Sequence, residues 1–369
     1  MITEVGVVLH RLQTSSTATG RGPSAASGTP YTRRMNAPLP PPVGHLLQTQ
    51  DGCLSRWQAR DRGLTDEQVR SLLRATEWTS VHRGVLRDST EDGVRSALRA
   101  ALLTQSTCGN WPPGVALGRW TAALVHGFEG VPEQETVDVV VPRVWWPKHR
   151  PTGVRLHRCR TPVEHIQSWC GLPVTSPTWT ALSLARALSR RHAVVVVDSA
   201  LRAGGCTVAQ LRAALPALAR LRGCVQARAV VDLARPGTDS CQETRTRMAL
   251  VERGLPPPDV DMRLYDDRGR LLARGELGYR NELIWIEYDG FAVHTERQAF
   301  RRDRSRQNWL VNRGWFVLRY ADADLRHGET RMTADVRRAR QLAPARIAAL
   351  PAGLSPEADA ARLALRAQP

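Results

Sequence analysis

Residues 271–289 read Leu271-Leu-Ala-Arg-Gly-Glu-Leu-Gly-Tyr279, Arg280-Asn-Glu282, Leu283-Ile-Trp-Ile-Glu-Tyr-Asp289. Two apolar-leaning runs flank a short polar break, and Gly290 closes the second. That spacing predicts two strands joined as a hairpin. Successive strand side chains point to opposite faces. Leu283, Trp285, Glu287 and Asp289 therefore share one face, and Ile284, Ile286 and Tyr288 the other. Carboxylates crowded on one face repel unless water or a cation separates them. Glu276, on the partner strand, is placed to face Glu287 and Asp289. Glu276, Glu287 and Asp289 thus form a candidate metal site for Mg²⁺ or Mn²⁺, ions that favour oxygen ligands.

The flanks extend this unit. Ser240-Cys-Gln-Glu243 fits a capping box, and the helix it opens closes at Gly254. Val260–Tyr265 reads as a strand and Asp266-Asp-Arg-Gly269 as a turn. His294 follows the hairpin, then a helix over about 297–313 carrying Phe300, Asp303, Arg306 and Leu310, and a strand over Trp315–Tyr320. The unit spans 236–343. The tail, 344–369, is rich in Ala, Leu, Arg and Pro and reads as a loose helix.

Upstream, residues 1–42 are rich in Ser, Thr, Gly, Ala and Pro without periodicity, and read as disordered. Met35 within them is an alternative start. Over 43–90, capping boxes at Ser55-Arg-Trp-Gln58 and Thr65-Asp-Glu-Gln68 start two short helices, about 55–62 and 65–75. Trp78, Val81, Val85 and Leu86 around His82-Arg-Gly84 suggest two strands. Helices followed by a hairpin make a winged helix-turn-helix pattern, with Arg70 and Arg74 on its second helix and Arg83 on its wing offered to DNA.

Residues 91–235 alternate helix and strand signals, an α+β middle region. Val94–Thr107 and Val115–Gly127 read as helices, Thr136–Arg143 and Gly153–Arg160 as strands. Gly171–Pro177 reads as a turn into a helix over about 178–190. His192–Leu201 supports either element: its four valines favour a strand, and the glycine stop at Gly204 favours a helix.

The chain has 369 residues, with Lys+Arg 52 against Asp+Glu 35, a net +17. Residues 91–235 hold 18 basic and 9 acidic residues, a net of +9. Between Arg143 and Arg160 no acid occurs, and Trp145 and Trp146 interrupt the basic run. Arg155 and Arg158 in this stretch are candidate phosphate contacts, since basic groups beside aromatics suit a nucleic-acid backbone or an unstacked base. Lys148 is the single lysine, which excludes a lysine mechanism elsewhere. The 7 scattered cysteines support neither a disulfide framework nor a zinc ribbon, so a cytoplasmic setting is expected. No run approaches the roughly 18 apolar residues of a membrane span.

The motifs Glu243-Thr-Arg-Thr-Arg247, Gly254-Leu-Pro, Ala273-Arg-Gly-Glu-Leu277, Ile286-Glu-Tyr-Asp-Gly290, His294, Asp303-Arg-Ser-Arg306 and Gly314-Trp-Phe-Val-Leu-Arg319 resemble the domain of unknown function 559. That family is a very-short-patch-repair-like branch of the PD-(D/E)xK nucleases. The resemblance covers about 239–340. It implies a restriction-endonuclease-like α/β core with a mixed sheet, a divalent cation and phosphodiester hydrolysis by a metal-activated water. Carried over by position, Glu243 lies on the first helix, Glu276 stands at the metal-binding acid, and Glu287 and Asp289 at the second acidic motif. His294 stands at a proton carrier, and Asp303 and Arg306 at the helix motif. The family's first acid is usually Asp where this chain has Glu276, and the general motif's Lys is here Asp289.

Residues 43–87, with His82-Arg-Gly-Val85, resemble the N-terminal winged helix of AbiEi-type antitoxins. The middle, with Gly171-Leu-Pro-Val-Thr and Thr180, resembles the linker domain between these two parts in actinobacterial proteins. The expected class is thus an α/β multidomain protein with three parts: winged helix-turn-helix, α+β middle and nuclease-like core. Two functions follow. One is a Mg²⁺-dependent DNA endonuclease or nickase guided by a DNA-binding module. The alternative is an antitoxin-like DNA-binding regulator whose nuclease domain has decayed. Double-stranded DNA is the expected partner, a cognate toxin a further one, and no membrane is involved.

Overall fold

The computed structural model describes residues 39–90, 98–100, 102, 113–132, 136–145, 153–266, 268–289 and 297–367, with Asp289 and residues 297–303 described by backbone alone. The chain divides into two compact units, Met1–Asp232 and Leu233–Pro369.

The first unit opens with α1 (Pro41–Thr49), β1 (Cys53–Ser55), α2 (Arg56–Asp61), α3 (Asp66–Arg74), β2 (Trp78–His82) and β3 (Val85–Asp88). Helix α1 begins at Pro41, inside the stretch expected to be disordered; residues 1–38 of that stretch lie outside the described residues. Both capping boxes form: Gln58 N donates to Ser55 Oγ at 3.1 Å while Ser55 N donates to Gln58 Oε1 at 2.8 Å. Thr65 and Gln68 repeat the exchange. Gly63, at φ 92°, makes the turn between the two helices in a backbone region that glycine enters without steric cost. The strands form one antiparallel sheet in the order β1-β3-β2. Val43, Leu47, Leu54, Val69, Trp78 and Leu86 fill the core between sheet and helices.

Next come β4 (Ala116–Leu117), α4 (Arg119–Val125), β5 (Val137–Pro142), β6 (Val154–Cys159), β7 (Ile166–Trp169), β8 (Leu172–Thr175), α5 (Pro177–Ala185), α6 (Arg190–Arg202), α7 (Val208–Ala214) and α8 (Cys224–Leu233). The sheet order is β6-β5-β4-β8-β7, with β5–β6 and β4–β8 parallel and the other pairs antiparallel. Two expectations change here and one open reading is resolved. The helix expected over 115–127 begins only at Arg119, because Ala116 and Leu117 pair with Val140 and Val139. The turn expected over 171–177 is strand β8, paired with β7. His192–Leu201 is helical: Val194–Val197 are all buried in α6, so packing on every side overrides the strand preference of β-branched residues. Of the helix expected over 94–107, only Leu98–Ala100 and Leu102 are described, and they are helical.

The second unit runs α9 (Cys241–Glu252), β9 (Asp259–Tyr265), β10 (Leu271–Tyr279), β11 (Ile284–Asp289), α10 (Arg297–Asn312), β12 (Phe316–Ala321), α11 (Asp322–Arg326), α12 (Glu329–Ala348) and α13 (Pro356–Arg366). Strands β9, β10 and β11 form an antiparallel meander, and α10 crosses over so that β12 lies parallel to β11. The result is the mixed sheet β12-β11-β10-β9. One face packs Leu277, Tyr279, Ile284 and Ile286 against Leu250, Met332 and Val336. The other packs Met262, Leu264, Leu283 and Trp285 against Leu310, Trp315, Ala343 and Ile347. The tail expected to be loose joins this second core. Residue 344 falls inside α12, and Ala358 and Ala361 of α13 are fully buried. Among the described residues no helix is long and apolar enough to cross a membrane.

Candidate functional site

The second unit contains a cavity of about 280 Å³ where α9 meets the polar end of the hairpin. Glu243, Glu276, Glu287 and Arg306 all line it, so four of the expected site residues do converge. Glu243 is 3% exposed. Its backbone N–H donates to Ser240 Oγ at 3.1 Å, and its Oε2 accepts from Asp239 N at 2.8 Å. The carboxylate thus holds the chain entering α9. Strand pairing sets Leu277 against Ile286, the neighbours of Glu276 and Glu287 in the two strands. Glu276 Oε2 accepts the Tyr288 N–H at 2.8 Å.

Glu287 is buried, 7% exposed. Its Oε1 accepts from Trp285 Nε1 at 2.9 Å and pairs with Arg306 Nη2 at 3.0 Å. Arg319 Nε stands 3.8 Å from Oε2. Arg306 Nη1 also donates to Arg274 O at 3.0 Å, which ties helix α10 to strand β10. Arg274 is itself held twice, by Asp261 Oδ1 at 2.6 Å and Asp239 Oδ2 at 2.7 Å. Asp261 sits at φ 49°, and hydrogen bonds from Arg263 and Arg274 hold its carboxyl below the ordinary aspartate range. The same two carboxylates, Asp261 and then Asp239, raise the Arg274 guanidinium above its ordinary value. Of the acids that line the cavity, Asp239, Asp261 and Glu287 are thus paired with guanidinium groups.

The expected metal set of Glu276, Glu287 and Asp289 includes a side chain that is not described, that of Asp289. Among the described residues, no three His, Cys, Asp or Glu side chains form a group that could hold an ion. Glu287, one of the three acids expected to hold a cation, already faces Trp285 and two arginines. Asp289 pairs its backbone with Ala321 at the end of β11, Asp303 lies on α10, and His294 is outside the described residues.

Arg319 was missed from sequence. It faces Glu287 because the parallel β11–β12 register aligns the two residues, a relationship made only by the α10 crossover. Gly275 was missed as well. A Cβ there would lie 2.3 Å from the Trp285 ring, so the glycine lets the indole lie against β10. The Gly-Glu dipeptide opposite a Trp-x-Glu strand was the available signal.

The expected DNA contacts lie in the first unit. Arg70 and Arg74 are exposed on α3, and both pair with Glu67 at 2.9 Å. Arg83 is exposed in the β2–β3 turn. Arg155 and Arg158 are exposed on β6, an edge strand, and alternation puts them on opposite faces. Behind β6, the His157 Nε2 lies 2.7 Å from Oδ1 of the fully buried Asp138.

Residues 115–233 match the family model of the AbiEi antitoxin C-terminal domain. The antitoxin resemblance read at 43–87 is thereby moved: the match falls on the middle region, on the sheet β6-β5-β4-β8-β7 and the helices α4 to α8. It includes neither the N-terminal helical part nor the second unit. Two uncharacterized proteins of Mycobacterium tuberculosis, MT2308 of strain CDC 1551 / Oshkosh and Rv2248 of strain ATCC 25618 / H37Rv, are each 28% identical over 240 residues. In each case the alignment covers 62% of this chain and 81% of the relative.

Proposed function

We propose that the chain is an antitoxin-like, DNA-binding regulator. The observation that carries this reading is the antitoxin match over 115–233. The helices and hairpin that precede it supply a winged helix-turn-helix-like reader, with α3 in the position of the recognition helix. Glu67 screens Arg70 and Arg74, but exposed ion pairs are weak, so a phosphate competes for both guanidiniums. A cognate toxin is the second partner, with the antitoxin-like region as its contact. The test is binding of the full chain to the DNA preceding its own gene, beside a scrambled duplex. Replacing both Arg70 and Arg74 by Ala should weaken binding roughly tenfold and flatten its salt dependence. Equal affinity for both duplexes, unchanged in the double variant, would remove the reading.

A second reading, a metal-dependent DNA endonuclease or nickase, is favoured by the mixed sheet with Glu276 and Glu287 lining one cavity. In that reading Mg²⁺ or Mn²⁺ supplies the activated water, and Glu287 must give up its guanidinium partners. Nicking of supercoiled plasmid that needs Mg²⁺ and is lost in Asp289→Ala would establish it.

A further inference from the structure

One buried guanidinium ties together two parts of the first unit. Arg99 is 6% exposed and lies on a helical turn that also carries Leu98, Ala100 and Leu102. Its Nε and Nη2 donate to Asp51 Oδ2 at 3.3 and 3.2 Å, and its Nη1 donates to Gly171 O at 3.2 Å. Asp51 sits in the turn between α1 and β1, and Gly171 in the turn between β7 and β8. Both acceptors are themselves held. Gly52, beside Asp51, donates its N–H to Leu47 O at 2.8 Å and accepts from Asp88 N at 2.9 Å. Cys170 and Gly171, at φ 49° and 74°, make a two-residue hairpin turn closed by the Trp169–Leu172 pair.

The neighbours of Arg99 face two different cores. Leu98 and Leu102, four residues apart on one helix face, pack with Val137, Val139, Leu172 and Val174 of the antitoxin-like sheet. Ala100 packs instead with Cys53 and Val85, with Val81 against them. Strand alternation explains this second contact. Leu54 and Leu86 face the helices of the winged reader, so Cys53 and Val85 face the other way. Val81 and Val85 flank the His82-Arg83-Gly84 turn, which is the wing. The base of the wing therefore rests on Ala100, one residue from the buried guanidinium.

A buried ion pair adds little net stability beside apolar residues of the same size. What it imposes is geometry, because the guanidinium fork is planar and offers its donors in fixed directions. With a carboxylate on one side and a turn carbonyl on the other, Arg99 fixes the helical turn beneath the wing.

We propose that Arg99 is a positioning residue for DNA recognition that acts through the wing. Burial keeps its own guanidinium away from DNA. The role rests on the DNA-binding reading above.

The experiment uses the full chain and a fluorescent duplex of the DNA preceding its gene, with affinity read by anisotropy. Arg99→Gln should weaken binding roughly tenfold. Where that variant fails to fold, the pair Asp51→Asn, Arg99→Gln carries the test, because it leaves no uncompensated charge. A merely structural role would lower stability and leave the affinity of the folded chain alone. Double-mutant cycles then locate the effect. Combined with Arg83→Ala on the wing, Arg99→Gln should add little, since the wing contact is already lost. Combined with Arg70→Ala on α3, its loss should multiply in full. An affinity equal to wild type, or full multiplication with Arg83→Ala, overturns the proposal and leaves the DNA-binding reading in place. A wild-type chain that binds no duplex removes that reading, and this role with it.

Discussion

Trp285 donates its indole N–H to the carboxylate of Glu287, two residues along the same strand face, at 2.9 Å. The bond joins the apolar core under β11 to the polar cavity above it. It turns one oxygen of Glu287 toward the indole, where Arg306 also reaches it. Glu287→Ala would leave the Trp285 N–H unpaired and Arg306 without its counter-charge. The expected loss is about 2 kcal/mol, since breaking a buried pair is costly but Arg306 remains partly open to water. Urea denaturation checks this. Stability equal to wild type would show that the guanidiniums re-pair elsewhere.

Gly275 tests the same wall from the other side. Its place beneath the Trp285 ring leaves no room for a methyl group. Trp285 is fully buried and also meets Trp315 edge-on at 5.3 Å, so it has nowhere to shift. Gly275→Ala should cost about 2 kcal/mol by overpacking. A melting temperature unchanged from wild type would mean that the ring gives way freely.

The hairpin was legible because period-two alternation and a polar break act over neighbouring residues. The bounds Leu271–Tyr279 come out as read, and so does the shared face of Trp285 and Glu287. What compensates Glu287 was not legible. Arg306 and Arg319 reach it across a helix crossover, a distance in sequence that no local pattern encodes. The four valines of α6 were ambiguous for a related reason: burial on all sides removes the periodicity that separates helix from strand. The antitoxin-like part was placed one region too early. The capping boxes of the N-terminal helices are strong local signals, whereas β4, β7 and β8 are short strands whose pairing appears only in three dimensions.

The C-terminal tail makes a sharper case. Its Ala-rich composition suggested loose helix, but small side chains are what allow α13 to pack closely. Ser355 donates its hydroxyl to Arg313 O at 2.9 Å and caps α13 by accepting from Ala358 N at 3.1 Å. Glu357 pairs with Arg313 at 3.0 Å. A chain ending at Leu350 should lose roughly 3 kcal/mol, from Leu354, the two buried alanines and the Ser355 bonds together. An unchanged urea midpoint would show that α13 contributes no stability.

His126 gives the antitoxin-like region an acid-sensitive contact. Its Nε2 lies 2.7 Å from the Thr175 carbonyl, which requires the ring to donate there. Burial holds its pKa below the ordinary histidine value, against the opposing pull of that carbonyl. In the unfolded chain the ring protonates near pH 6.5, as a free histidine does. Between the two values the unfolded chain binds a proton that the folded chain does not. Stability is therefore fully present above about pH 6.5 and falls as the pH drops toward the folded value, by at most about 1.4 kcal/mol per pH unit. His126→Gln keeps an amide donor for Thr175 and cannot titrate. Its urea midpoint should change less than that of wild type between about pH 8 and about pH 5.5. Equal losses in the two proteins would place the acid sensitivity elsewhere.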